Sequence, residues 1–187
     1  MPDARSELQA ALLTSEQARA IEAHGSRDAA VLLPLYGLAE EPTLVFTKRR
    51  SDLSQHAGEI SFPGGRPEDG DTSLLDAALR EAHEEVGLGR DHVDVVGALP
   101  PTPTLVTDYR VQPYVGLIPA DTALEPEPGE VEAILRFTLD DLVAGYGRRR
   151  LVKRGVPFRS PTYEVDGELI WGATARILGT FLERFRG

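Results

Sequence analysis

A chain of 187 residues, 41% hydrophobic and 27% charged, has the size and balance of one globular domain that can bury its own core. Its net charge of −10 argues against non-specific nucleic-acid binding, which needs a basic field, but leaves room for a small phosphorylated ligand. With no cysteine, disulfides, thiolate nucleophiles and cysteine-ligated metals are excluded.

No apolar run of about 20 residues occurs, so no membrane span is expected. The N-terminus MPDARSELQA lacks the apolar core of a signal peptide, and the C-terminus ERFRG carries no Ser-Lys-Leu address. The expected compartment is the cytoplasm.

In chain order, Thr14-Ser15-Glu16-Gln17 reads as a capping box opening a helix over about 15–23, ended by His24, Gly25 and Ser26. Residues 29–36 form a short apolar run, read as a buried strand. Residues 43–49 follow the turn Glu40-Glu41-Pro42 as its partner strand. Residues 50–64 read as a loop with one extended piece at 59–62. Beyond the stretch 64–88, residues 93–99 alternate as a strand and 100–103 form a proline-rich loop. Residues 109–118 form another strand, where Pro113 predicts an edge position or a bulge. Residues 121–129 make an acidic surface loop, and 130–137 a further strand. Thr138-Leu139-Asp140-Asp141 then caps a short helix ending near Gly145. The basic cluster 148–154 is read as a solvated loop. Residues 158–170 predict a hairpin turning at Asp166-Gly167, and about 171–185 a C-terminal helix. Interleaved strands and helices, without repeats or a linker, predict one α/β domain over 1–187.

The stretch 64–88 carries the chemistry. Gly64-Gly65, Pro67 and Asp69-Gly70 make a turn, a helical pattern follows, and Gly87 supplies its stop. At about 100° per residue, Leu75, Ala78, Leu79, Ala82 and Val86 share one side, while Glu81, Glu84 and Glu85 gather within roughly 100° of arc beside it. Carboxylates three and four residues apart repel, and the helix C-terminus disfavours anions. Arg80 offsets only part of this. A cation belongs there, and oxygen-only ligands favour Mg²⁺ or Mn²⁺ over zinc.

This order resembles the Nudix box, Gly-x5-Glu-x7-Arg-Glu-apolar-x-Glu-Glu-x-Gly-apolar. Gly65 matches its first position, and Arg80, Glu81, Ala82, Glu84, Glu85, Gly87 and Leu88 match its end. Asp71 stands where the first Glu is expected, and one extra residue separates Gly65 from Arg80. Upstream, Thr47, Arg50, Ser51, His56, Ala57, Gly58, Phe62, Pro63, Gly64 and Gly65 resemble the coenzyme A diphosphatase subfamily, which tolerates both departures. The segment between Ser51 and His56 is shortened, and Ser54-Gln55 replaces the usual basic residue.

The resemblance implies a Nudix-type α/β/α sandwich with a central mixed β-sheet. It also implies divalent-metal-dependent hydrolysis of the pyrophosphate of coenzyme A to 3′,5′-ADP and 4′-phosphopantetheine. Glu81 and Glu85 are the implied metal ligands, with Glu84 as a shared or second-metal ligand, and a carbonyl near Gly64-Gly65 completes the set. Arg80 is implied as an orienter of the glutamates, and Glu130, before a late strand, as the general base. Arg49, Arg50 and Arg66, beside Gly64 and Gly65, are candidates for the substrate, since an arginine fork suits a 3′-phosphate, and the Arg148–Arg154 cluster is the further candidate if it folds over instead of staying a solvated loop. The rival readings are another nucleoside diphosphate derivative as substrate, or a nucleotide-binding module without turnover. The expected partner is a small molecule, with no nucleic acid or membrane; a homodimer is compatible with the sequence. His83-Glu84 does not complete a His-Glu-x-x-His zinc motif, because position 87 is glycine, and there is neither a Gly-x-Ser-x-Gly elbow nor a P-loop.

Overall fold

A computed structural model describes residues 3–52, 58–104, 107–153 and 155–186. The chain opens with α1 (Ala4–Ala11) and α2 (Ser15–Arg19), followed by β1 (Arg27–Tyr36), β2 (Thr43–Arg49), and the short β3 (Ile60–Ser61) and β4 (Gly64–Gly65). Helix α3 (Leu74–Val86) precedes β5 (Asp94–Ala98), β6 (Thr102–Pro103), β7 (Tyr109–Leu117) and β8 (Val131–Thr138). Then come α4 (Leu139–Ala144), β9 (Tyr146–Lys153), β10 (Val156–Val165), β11 (Glu168–Ile170) and α5 (Gly172–Arg186). Among the described residues, no helix is long and apolar enough to cross a membrane.

The main sheet is mixed. Strands β1 and β7 run parallel over nine register pairs from Arg27↔Tyr109 to Leu35↔Leu117, whereas β2, β4, β5, β6 and β8 pair antiparallel to their neighbours. Alternation along the strands feeds two cores. Leu33, Leu35, Leu44, Phe46 and Val115 point to α5, whose Ile177, Leu178, Phe181 and Leu182 are buried against them. Ala30, Leu32, Val45 and Tyr114 point the other way, to Ala78, Leu79, Ala82 and Val86 of α3. The result is the expected α/β/α sandwich. A separate three-stranded sheet, β11-β10-β9, forms an arm.

The capping box is present: Thr14 Oγ1 accepts from Gln17 N–H at 3.1 Å, and Gln17 Oε1 accepts from Thr14 N–H at 2.9 Å. The helix it opens is shorter than the expected 15–23, stopping at Arg19. Helix α1, not foreseen, precedes it: Asp3 accepts from Ser6 N–H at 2.7 Å, and Leu8 is buried. Its apolar face is too sparse to declare a helix by periodicity.

The basic cluster is a strand and not a loop. Residues 146–153 pair with β10 from Tyr146↔Tyr163 to Lys153↔Val156, so backbone pairing with the next segment overrides the polar composition; Arg154 lies outside the described residues. Pro113 is not at an edge, because β7 lies between β1 and β5. Its carbonyl accepts from Leu99 N–H at 3.0 Å, so its nitrogen faces the same side, in the gap between the β5 pairing at Tyr114 and the β6 pairing at Val111, where no donor is demanded. The sheet irregularity nearby is on β5, between Val95 and Gly97, opposite Gly116 and Val115 and not at Pro113.

Candidate active site

Helix α3 is fixed at both ends. Ser73 caps its N-terminus by accepting from Asp76 N–H at 3.1 Å, and Gly87 ends it in the left-handed conformation at φ 69°. The acidic loop closes the same end from outside. Glu125 N–H donates to Val86 C=O at 3.0 Å and Glu127 N–H to Glu85 C=O at 2.9 Å, satisfying carbonyls that a helix terminus leaves open. This brings the loop that carries Glu130 onto the helix that carries Glu81, Glu84 and Glu85.

Glu85 is the buried member of the set, with only 5% of its surface exposed. One oxygen, Oε2, accepts from Gly64 N–H at 3.1 Å; the other, Oε1, faces Arg49 Nη1 at 3.8 Å. Burial is the main cause that pushes its carboxyl up to about 7. Gly64 N–H and Arg49 pull it down, and Glu81 and Glu130 push it up. Burial likewise raises Glu81, against the pull of Arg80. Two neighbouring carboxylates therefore resist ionisation.

Gly64 and Gly65 make this packing geometrically feasible. Strand β4 pairs with β1 at Val31 and Ala30, and a Cβ on Gly64 would lie 2.3 Å from Ala30 C=O. A Cβ on Gly65 would lie 2.2 Å from Glu81 Oε1. Phe62, buried just before them, stacks on Phe46 with ring centroids 4.6 Å apart, and Leu32 N–H donates to Pro63 C=O at 2.9 Å. The turn is thus pinned to the sheet on one side and faces the carboxylates of α3 on the other.

Arg80 is saturated. It donates to Asp71 through Nε and Nη2, to Arg66 C=O through Nη2 at 2.9 Å, and to Glu84 Oε2 through Nη1 at 3.0 Å, with Glu81 Oε1 at 3.2 Å from Nη1. The Arg80 hydrogen bond is the largest cause holding Asp71 below the usual carboxylate range. Glu84, its side chain 55% exposed, is directed to Arg80.

Arg49 straddles two carboxylates, since its Nη2 is 3.6 Å from Glu130 Oε2 while its Nη1 faces Glu85. Its Nε is buried without a hydrogen-bond partner. Arg50 has a different role. Its guanidinium binds Asp52 through Nε and Nη2 and donates to Pro128 C=O at 2.6 Å, and its N–H donates to Glu130 C=O at 3.0 Å, so it braces the loop. The Arg66 side chain is exposed beside the turn. His56 and Ala57 of the upstream segment lie outside the described residues. Thus Glu81, Glu85, Glu130, Arg49, Gly64 and Gly65 converge, Arg80 clamps their flank with Glu84, and Arg50 faces away into the loop.

Sequence reasoning missed three parts: the Asp71–Arg80 clamp, the Gly64 N–H donor to Glu85, and the acidic loop closing α3. A signal existed for the first, since Asp71 occupies the box position normally held by Glu. The others join residues 21 and more apart.

Among the described residues, no three acidic or imidazole side chains form a preformed metal cage, because Glu84 is held by Arg80. The remaining donors still fit a hard divalent cation. Glu81 and Glu85 offer carboxylate oxygens, half-buried and buried, and Glu81 disfavours the charge of Glu85, which a cation between them would relieve.

Comparison with known proteins agrees with this geometry. The family model described as NUDIX domain matches residues 26–164. The protein named uncharacterized Nudix hydrolase NudL of Enterobacter sp. (strain 638) is 39% identical over 154 residues, covering 81% of this chain and 79% of that one. The protein of the same name from Pectobacterium atrosepticum is 38% identical over 157 residues, covering 83% and 81%. In fold, the chain is similar to the MutT protein of Methanosarcina mazei Go1, with TM-score 0.53 and 17% identity over 86% of this chain and 92% of that one.

Proposed function

The chain belongs to the NUDIX domain family of hydrolases, and on that premise we propose that it hydrolyses the pyrophosphate bond of coenzyme A and its derivatives to 3′,5′-ADP and 4′-phosphopantetheine. The observation that carries the reading is the contact between two sequence signatures. The turn Phe62-Pro63-Gly64-Gly65, on which the resemblance to coenzyme A diphosphatases rests, is built against Glu81 and Glu85 of the box helix, one through a glycine that admits the carboxylate and one through a backbone N–H. The subfamily segment and the catalytic helix form one site.

Nudix hydrolases generally use Mg²⁺ or Mn²⁺. Here Glu81 and Glu85 would hold the ion, with Glu84 joining if it leaves Arg80, and a carbonyl of Gly64 or Gly65 within the same turn. When bound, the ion supplies charge neutralisation on the pyrophosphate and polarises the bond that breaks. The chain does the rest. Glu130 lies on the open side of the cluster, 56% exposed, and accepts the proton of the attacking water. Arg49 holds Glu130 toward Glu85, and its Nη groups, which face those carboxylates, can donate to a phosphate oxygen. Arg80 and Asp71 fix the rotamers of Glu81 and Glu84, so the carboxylates meet substrate already oriented.

Purified protein with Mg²⁺ or Mn²⁺ and a panel of coenzyme A, ADP-ribose, NADH and dATP tests this directly, with Glu85→Gln as control. Release of 3′,5′-ADP from coenzyme A, lost in the variant, is expected. Cleavage of another panel member in its place overturns the substrate and keeps the chemistry. No turnover of any compound moves the protein to a nucleotide-binding role.

A further inference from the structure

The arm carries charge that the reaction does not use. Strand alternation puts Arg148 and Arg150 of β9 on one face, and the register places Arg159 of β10 directly opposite Arg150, and Pro161 opposite Arg148. All three arginines are exposed, and none has a carboxylate partner among the described residues; Arg149, on the other face, is paired with Glu164. Like charges directly opposite on antiparallel strands destabilise the pair. In a chain with ten more acidic than basic residues, this concentration of unpaired cations calls for an anion from outside.

Among the described residues, no contact ties these arginines to the active-site cluster of their own protomer. The arm is rooted where Glu168, paired with Val165, binds Lys48 at 2.7 Å. The arginines lie about 13–20 Å along β10 from that root at 3.3 Å per residue, and none pairs with Glu81, Glu85 or Glu130.

We propose that this face docks on the acidic loop of a second copy of the chain, forming a two-fold dimer. Residues 121–132 hold Asp121, Glu125, Glu127, Glu130 and Glu132 without one basic residue, and Asp121 and Glu125 are exposed with no basic partner among the described residues. The two surfaces border each other in one protomer: Lys48 binds Glu168 of the arm and lies 3.8 Å from Glu132 at the end of the loop. A two-fold axis that sets each arm against the other copy's loop closes the assembly with both contacts made twice. Because the loop closes α3 and carries Glu130, the dimer covers the rim of the active site. The inference is independent of which pyrophosphate is cleaved.

Sedimentation velocity on the full chain tests it. At low salt the protein should sediment as a dimer and move toward monomer as sodium chloride rises, because the contact is electrostatic. Reversing the face (Arg148→Glu, Arg150→Glu, Arg159→Glu) should weaken dimerisation on the order of tenfold or more, and so should Asp121→Arg with Glu125→Arg. An equimolar mixture of the two variants should recover the dimer, since both contacts are complementary again in the mixed pair. These side chains are exposed, so circular dichroism should match the wild type. A wild type that stays monomeric at low salt, a dimer insensitive to the reversal, or a mixture that fails to pair overturns the proposal. Binding of a monomer to vesicles of anionic lipid, lost in the triple reversal, overturns it in favour of a membrane surface.

Discussion

Two regions of this molecule treat charge in opposite ways. On α3, carboxylates are packed among partners: Glu85 takes Gly64 N–H and faces Arg49, and Arg80 holds Asp71, Glu81 and Glu84 at once. On the arm, Arg148, Arg150 and Arg159 face solvent, with Arg150 directly opposite Arg159. Burial explains the difference. An unpaired ion is costly in a low-dielectric interior and cheap in water, so the helix had to acquire its partners within the fold, whereas the arm can wait for an external one. Removing a charge should therefore have opposite consequences in the two places.

The largest effect is expected at Glu85. Glu85→Gln keeps an acceptor for Gly64 N–H but removes the charge, so kcat should fall by roughly 10²–10³ while urea denaturation shows no loss of stability. A drop in stability equal to the drop in activity would make Glu85 a structural residue. Next comes Gly65→Ala, whose Cβ would occupy the space of the Glu81 carboxylate. Displacing that group should cost about tenfold to a hundredfold in kcat with strand pairing intact by circular dichroism. An active Gly65→Ala would mean that Glu81 can work from another rotamer.

Asp71→Asn tests the clamp without touching the turn. It weakens a charged fork on Arg80, and activity should fall about tenfold through misplacement of Glu81 and Glu84, with most of it restored in Asp71→Glu. Equal activity in the asparagine variant would assign the fork to stability alone. On the arm the sign reverses. Arg150→Thr removes one of two opposed cations and should stabilise the monomer by about 0.2–1 kcal/mol in urea titration, leaving kcat unchanged; destabilisation there would show that the arginine makes a favourable contact within its own chain.

The smallest effect is at the start of α3. Thr72 is the largest cause that lowers the Asp76 carboxyl, with Arg90 next. A carboxyl whose folded pKa is depressed stabilises the protein above its unfolded pKa of about 3.9, and that contribution is lost as pH falls through the lower folded value. The stability difference between wild type and Asp76→Asn should accordingly be small but present at pH 7, and shrink as pH falls below about 3.9 through the lower folded value. A difference that persists there would assign the role of Asp76 to its neutral form.

The local features of the fold were open to reading. The 3.6-residue period of 74–86 and the glycine that ends it lie within one helix, as do the Thr14 box and the Thr138 cap. The Asp166-Gly167 turn is equally local, with both residues at positive φ, 52° and 79°. Strand positions for 29–36, 43–49 and 109–118 followed from β-branched and apolar runs. Helix α1 was hidden because its apolar face is sparse, and β9 because three consecutive arginines look like a loop until β10 pairs with them.

The sequence alone determined where the carboxylates stand on α3, that oxygen ligands rather than sulfur would serve a metal, and which glycines bracket the helix, because each depends on the geometry of neighbouring residues. Only the tertiary structure decided which carboxylate is buried, that Arg49 rather than Arg50 reaches it, and that the loop of Glu130 closes the helix end. Those contacts join Arg49 to Glu85 and Glu127 to Glu85 across a sheet and a loop. Spacing along the chain cannot encode burial: it arises when α3, β1 and the 121–132 loop exclude water from the same few side chains, and that exclusion, not the composition, separates Glu85 from Glu84.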